Sequence, residues 1–339
     1  MHKKVALSGY FGFDNFGDDA ILSVLCDKLK LLNAEITVFS ANPIKTAKEF
    51  LVNSVGSFDL KNVIKTIFKT DVLISGGGSL LQDATSFKSL VYYSGIIFLA
   101  LLFKKDVLIF AQGIGPLNHK MSKYIVLQLL KRAKYVSVRD EKSFEFLKSN
   151  NINAELVHDP VYSIIVPDVP KNFAVGLQLR DFSTMNFEFL NSLADNVLFN
   201  YPNRKIELFV FQKSIDEKIC KQFAQLLYSK NQNIDIEIVY YNNRAEIFKR
   251  VSQLECMIAM RFHAIILALK AGIRVSAINY DIKVEKLAKE ASIPLISLND
   301  SINDYNAIFE HMKSLNQGRL SDFANSKPFN WSNFEKFFQ

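Results

Sequence analysis

The sequence predicts an α/β protein built of two doubly wound parallel-sheet domains, and three observations carry that reading. Short apolar runs of strand length alternate strictly with longer segments of helical spacing, the grammar of βαβ units. The alternation pauses once, at "HDPVYSIIVPDVPKN", where Pro160, Pro167 and Pro170 interrupt any helix and read as a linker. It then resumes with a second complete series, and 339 residues with 49% apolar content are enough for two cores.

In the first series the strand-like runs are "KVALSG", "EITVFS", "DVLISGGG", "DVLIFAQG" and "YVSVRD", separated by helical segments such as "DDAILSVLCDKLKLL" and "MSKYIVLQLLKRA". The second series runs "FAVGLQLR", "KIELFVFQ", "IDIEIVY", "CMIAMR" and "RVSAIN", each followed by a helical stretch. The expected domains are residues 1–165 and 166–325. An aromatic tail over 326–339, containing "PFNWSNFEKFF", is expected to pack back on the first domain. The most hydrophobic segment, "LVYYSGIIFLALLF" from Leu90 to Phe103, is shorter than the roughly 20 apolar residues that span a bilayer. It reads as a buried helix, or as one lying on an anionic membrane surface with Lys104 and Lys105 at its end.

Composition excludes several classes. Cys26, Cys220 and Cys256 are widely spaced and form no CxxC or Cys/His grouping, which argues against a disulfide framework and a structural zinc site. No signal-peptide pattern opens the chain, since "MHKKVALSGYFG" passes from two lysines straight into a strand-like run, and a cytoplasmic location is expected. The net charge of +7 and pI near 9.0 are spread along the chain, which suggests anionic ligands or an anionic membrane face. No interleaved basic and aromatic motif of a nucleic-acid module is present.

In doubly wound sheets ligands bind outside the carboxyl ends of the strands, so two such domains should face each other across a cleft lined by strand-end loops. The unusual residues fall at those ends. After the first strand "GYFGFDNFGDDAIL" offers Asn15 and Asp18 among glycines; its spacing is neither GxGxxG nor a P-loop. Either the turn cradles a ligand, or Asp18 simply caps the next helix. The third strand ends in "SGGGSLLQD", where Gly76, Gly77, Gly78 and Ser79 either admit a ligand to the backbone or permit close packing, with Gln82 and Asp83 one turn on. Gln112 comes just before Gly113, Gly115 and Pro116 in "AQGIGP". Arg139 ends the fifth strand, as an anion clamp or as a surface partner of Asp140 or Glu141.

The second series places Arg180 after its first strand. In "MIAMRFHAIILALKAG" Arg261 and His263 open a helix that is apolar nearly all round, so only its first turn can reach the cleft. Such a histidine is either a satisfied structural residue or a ligand-facing one. One strand on, "INYDIKVEKLAKE" supplies Lys283. Arg139, Arg180, Arg261 and Lys283, with His263 among them, describe a site for a compact, highly charged anion.

Taken as a set, "GYFGFDNFGDDAIL", "ISGGGSLLQD", "AQGIGPL", "VSVRDEKS", "MRFHAIILALKAGI" and "NYDIKVEKLA", in this order over about residues 4–296, resemble the polysaccharide pyruvyl transferase family. Within it, the closest likeness is to members that modify cell-wall-anchoring polymers. The resemblance implies two Rossmann-like domains in a GT-B-like arrangement. It implies transfer of a pyruvyl group from phosphoenolpyruvate to a sugar as a cyclic ketal, with release of phosphate. Arg139, Arg261, His263 and Lys283 match the positions associated with the donor and with catalysis, and Arg180 is carried with them. Three positions depart from the pattern: Ala259 replaces a glycine, Ile282 a proline and Arg274 a proline. All leave the charged groups in place.

The chemistry suits these residues. Phosphoenolpyruvate must be protonated on its methylene carbon, and His263 is the expected acid; a bound phosphate and carboxylate beside it favour its charged form. Arginines suit the carboxylate and phosphate, and Lys283 can follow the departing phosphate. Asn15, Asp18 and the Gly76–Ser79 turn are expected on the acceptor side, with Asp18 as base. No cofactor and no metal are expected; the partners are phosphoenolpyruvate, a glycan or lipid-linked oligosaccharide and, peripherally, an anionic membrane. The rival readings are a GT-B glycosyltransferase using a nucleotide sugar, and a non-catalytic binder of anionic glycans or lipid headgroups.

Overall fold

The computed structural model describes residues 2–84 and 86–339, which form two compact units. The first comprises the chain up to Ser163 together with Pro328–Gln339, and the second Ile164–Lys327.

The first unit begins with β1 (Lys4–Ser8), α1 (Phe16–Leu31), β2 (Glu35–Ser40), α2 (Pro43–Phe50), β3 (Asn53–Gly56) and α3 (Leu60–Lys69). It continues with β4 (Val72–Gly76), α4 (Phe87–Leu102), β5 (Asp106–Gln112), α5 (Lys120–Leu130), β6 (Tyr135–Val138), α6 (Glu141–Lys148) and β7 (Glu155–Leu156). Its strands are all parallel, in the order β3-β2-β1-β4-β5-β6-β7. The central strands are the ones legible in the sequence because they are buried on both faces: Leu7, Leu73, Ile74, Leu108 and Ile109 are wholly inaccessible. The edge strands β3 and β7 are additions to the expected five. "NSVG" and "EL" are short and half-exposed, so no apolar run marks them.

The segment expected to be a buried helix is α4, and it is buried on one side only. Leu90, Ile96, Ile97 and Ala100 face the sheet, while Val91, Phe98 and Leu102 are more than half or about half exposed. Among the described residues no helix is long and apolar enough to cross a membrane. The terminal segment belongs to this unit: Phe329, Trp331 and Phe334 cluster on the buried Phe110 at 4.8–5.6 Å between ring centroids. The Phe329 N–H also donates to Ser163 Oγ at 2.9 Å.

The second unit begins with β8 (Val175–Gln178), α7 (Phe187–Asn200), β9 (Ile206–Val210), α8 (Lys213–Lys230), β10 (Ile236–Tyr240) and α9 (Arg244–Gln253). Then come β11 (Cys256–Ala259), α10 (Phe262–Lys270), β12 (Arg274–Asn279), α11 (Ile282–Ala291) and β13 (Leu295–Ser297), followed by α12 (Tyr305–Ser314) and α13 (Gln317–Asn325). Its parallel sheet has the order β10-β9-β8-β11-β12-β13. Here too an edge strand, the three-residue β13, is added to the expected five. In both units the order turns back at the first strand, between β1 and β4 and between β8 and β11. Those are the positions where doubly wound sheets open a crevice at their carboxyl ends.

Candidate active site

In the second unit the site is built on three neighbouring strands. Ala259 of β11 pairs with Gln178 of β8 on one side and Ala277 of β12 on the other, so the chain leaves all three at one edge. Arg180 follows β8, Arg261 and His263 follow β11, and Lys283 follows β12. Every residue from Ala264 to Leu269 of α10 is fully buried, each large apolar side chain contributing roughly 2 kcal/mol. That anchors the helix and leaves its first turn, with His263 at the second helical position, as the half-buried part that reaches solvent. Lys283 takes the same position on α11, whose cap Asp281 accepts from the Lys283 N–H at 2.9 Å. Two helix N-termini and their positive dipole ends thus stand side by side.

Arg261 is held by groups that sequence reasoning missed. Its Nε donates to Asp216 Oδ2 at 2.9 Å, and its Nη2 to Asp216 Oδ1 at 2.6 Å and Gln212 Oε1 at 3.2 Å. Its backbone N–H donates to Gln178 Oε1 at 2.7 Å. Asp216 is fully buried and also accepts the N–H groups of Phe211 and Gln212, both at 3.0 Å. Arg261 is therefore fixed by a charge-assisted pair. In the sequence Asp216 looks like any first-turn acid of a solvated helix; nothing in the spacing ties it to Arg261.

Arg180 stands differently. Its guanidinium lies 5.5 Å from the ring of Tyr280, and its Nε is buried with no hydrogen-bond partner among the described residues. Tyr280, itself braced edge-on by Phe182 at 5.5 Å, is a second residue the sequence reading passed over. A buried guanidinium donor left unpaired is costly unless a ligand or water completes it.

The first unit holds the other candidates. Arg139 ends β6 and pairs with the buried Asp159, Nη1 to Oδ2 at 2.5 Å. Asp140 instead caps α6, accepting from the Ser143 N–H and Oγ at 2.8 Å each. At the β1/β4 crevice Asn15 caps α1, accepting the Gly17 N–H at 3.3 Å, and its amide donates to Asp18. Capping thus falls to Asn15, and Asp18 lies in the first turn, buried.

Gly78 answers to close packing: with φ +63 it takes a left-handed backbone, and a Cβ there would sit 2.9 Å from Asp18 Oδ1. Gly77, at φ +81, packs on Ile21, and Gly76 is buried between Leu25 and Phe110. Ser79 is exposed, and its Oγ closes on Gly113. Burial and the charge of Asp18 both push the phenols of Tyr10 and Tyr93 up, so Asp18 is flanked by two neutral hydroxyl-bearing rings.

Two expectations meet internal structure instead. The register of β5 shifts between Ile109 and Gln112, with Ala111 left-handed at φ 46. Beyond that bulge Gln112 is fully buried, its Nε2 donating to Ser75 Oγ at 2.8 Å, so it ties β4 to β5 rather than lining an open surface. Asp83 is likewise drawn inward, accepting the N–H groups of Asn118 at 2.7 Å and His119 at 3.0 Å. Those bonds, the first above all, hold its carboxyl below the usual range. Gln82, next to it, is half-buried. All three cysteines are buried, and burial pushes Cys220 and Cys256 up to about 12, which leaves them no thiolate for nucleophilic work.

Known structures resemble the whole chain at low identity. The UDP-GlcNAc 2-epimerase of Methanocaldococcus jannaschii superposes with a TM-score of 0.65 at 13% identity, covering 96% of this chain and 98% of its own. That of Neisseria meningitidis, solved with UDP-GlcNAc, gives 0.64 at 11% with 98% of each chain covered. Anabaena Alr3699/HepE, solved with UDP and glucose, gives 0.61 at 14%, covering 100% and 96%. At such identities the likeness is one of fold, two parallel-sheet α/β domains of the GT-B class. Among curated proteins none matches the chain. The sequence profile of polysaccharide pyruvyl transferases matches residues 15–282, a span from the cap of α1 to the first residue of α11 that takes in Arg139, Arg180, Arg261 and His263, and the chain belongs to that family.

Proposed function

We propose that the protein transfers the pyruvyl group of phosphoenolpyruvate to two hydroxyls of one sugar in a lipid-linked cell-surface polysaccharide precursor, forming a cyclic ketal and releasing phosphate. The observation that carries the donor assignment is Arg180: a guanidinium with a buried, unpartnered Nε, stacked on Tyr280 beside the N-termini of α10 and α11. Such a group suits a carboxylate or phosphate oxygen, and family membership supplies the reaction class.

His263 gives a proton to the methylene carbon, and the neighbouring carbon, now electron-poor, takes the first sugar oxygen. The second hydroxyl then forms its bond to that carbon as the carbon–phosphate oxygen bond breaks. Lys283, half exposed and 3.8 Å from Asp281, follows the leaving phosphate as a point charge. Arg261, oriented by Asp216, presents its charge to the donor. Asn15, Asp18 and the Gly76–Ser79 turn hold the acceptor, with Asp18 as base.

Two measurements test these assignments. Phosphoenolpyruvate at a hundredfold excess over its dissociation constant stabilises a protein by about 2.7 kcal/mol. A thermal shift of that order is expected for the native protein and is expected to vanish in Lys283→Ala. A shift with uridine diphosphate and none with phosphoenolpyruvate overturns the pyruvyl reading in favour of glycosyl transfer. Asp18→Asn keeps shape and burial while removing the base, so turnover is expected to fall about a hundredfold or more. Unchanged turnover and acceptor KM would withdraw Asp18 from catalysis.

A further inference from the structure

We propose that the outward faces of α3, α4 and α5 form a docking surface for an anionic phospholipid bilayer. The three helices cover one face of the first unit's sheet, with α4 packed between the other two. Of α3 only Val63 and Ile67 are buried, and Leu60, Ile64 and Phe68 point outward at four-residue spacing, with Phe68 64% exposed. On α4 the outward stripe is Val91, Phe98 and Leu102, and Gly95, on the same line, opens onto empty space. On α5 it is Met121, Tyr124 and Ile125. Three adjacent helices each turn a second apolar stripe to solvent, and an exposed apolar face of that kind marks an interaction surface.

The charge on the same helices is of one sign. Lys61, Lys65 and Lys69 lie on α3, Lys88 on α4, and Lys120 and Lys123 on α5, and none of the three carries a single Asp or Glu. The acids of the unit's other large helices, Asp18, Asp19 and Asp27 of α1, Glu49 of α2 and Glu141 and Glu145 of α6, show that the separation is by element. Apolar rings with lysines set among them are what lies flat in a headgroup region. Phe68 illustrates the mixture, edge-on to Phe103 at 5.6 Å with Lys105 Nζ 5.8 Å from its centroid. Charge also selects the occupant. A second copy meeting this face with its own would set the lysines of the three helices against like charge, whereas an anionic leaflet complements them.

The inference rests on the surface of the first unit and not on the donor assignment, so phosphoenolpyruvate shifts measured on the same proteins report separately. The test is flotation of the purified full chain with vesicles of phosphatidylcholine containing phosphatidylglycerol, and with phosphatidylcholine alone. Two variants are compared with it: Lys61→Gln/Lys65→Gln/Lys69→Gln, and Phe68→Ser/Leu102→Ser. All five positions are on the exposed face, and thermal unfolding checks that folding is intact. The native protein should float with the anionic vesicles only, and less so near 1 M salt, where screening acts within about 3 Å. At about 1 kcal/mol for each lysine near the surface, the triple variant should lose roughly a hundredfold in affinity. The Phe68/Leu102 variant should lose binding through its apolar contact alone. A native protein that stays unbound, or variants that float as well as it does, would overturn the proposal. So would a concentration-dependent dimer that both variants abolish.

Discussion

Replacing His263 with alanine is expected to lower pyruvyl transfer by about a hundred- to ten-thousandfold while phosphoenolpyruvate still binds. The expectation comes from position. Helix α10 is inaccessible from Ala264 to Leu269 and its first turn meets solvent, so the imidazole is placed at the edge of the site by burial that begins one residue later. In the proposed reaction its neighbours in the unit, Arg180, Arg261 and Lys283, recognise the donor's charge, and the imidazole delivers the proton. Binding and proton delivery therefore reside in different side chains, and a His263→Ala variant should separate them. A drop in kcat with a preserved thermal shift is the expected pattern. In deuterium oxide the ketal methyl should carry one solvent deuterium, the atom delivered to the methylene carbon. A variant that keeps kcat and raises only the phosphoenolpyruvate KM would make His263 a binding group and move the acid elsewhere.

The parts of this arrangement differ in how far the sequence discloses them. Central strands are buried on both faces and so announce themselves as apolar runs; β3, β7 and β13 lie at edges, where burial imposes no pattern. Strand-end cations are legible because a charged residue directly after an apolar run has few structural reasons to be there. Their partners are not. Asp216 is 45 residues from Arg261 along the chain and meets it only because β8 lies between β9 and β11 in the sheet. Asp159 meets Arg139 for a similar reason, through the turn that closes the first unit. Gln112 shows the opposite failure. The two glycines and the proline after it make it look like a loop residue, and a bulge, which leaves no mark in the sequence, turns it into the core. Helix α4 misleads in a third way: its hydropathy says that it is apolar all round, but not which half of that surface the protein itself covers.

Asp216→Ala is expected to cost about 3–5 kcal/mol of stability, the penalty for leaving one member of a buried ion pair uncompensated. The carboxylate is fully buried, and the side chain of Arg261 is only 12% exposed, so neither charge has water to fall back on. Arg261→Ala should cost a comparable amount, because Asp216 would then face only the N–H groups of Phe211 and Gln212 and the more distant Gln178 amide. The double variant decides whether the pair acts as a unit. Removing both charges removes the unpaired-charge penalty carried by each single variant, so the combined loss should fall short of the sum by about 1–3 kcal/mol in denaturant unfolding. Activity gives the second readout. With Asp216→Asn the shape and some of the hydrogen bonds remain but the charge that fixes the guanidinium is gone; kcat/KM for phosphoenolpyruvate should fall while the protein stays folded. Additive losses would mean that Asp216 merely closes the turn ahead of α8. The orientation of Arg261 would then rest on Gln178, which accepts from its backbone N–H, and on Gln212, a neutral amide that holds the guanidinium far less firmly than a buried carboxylate does.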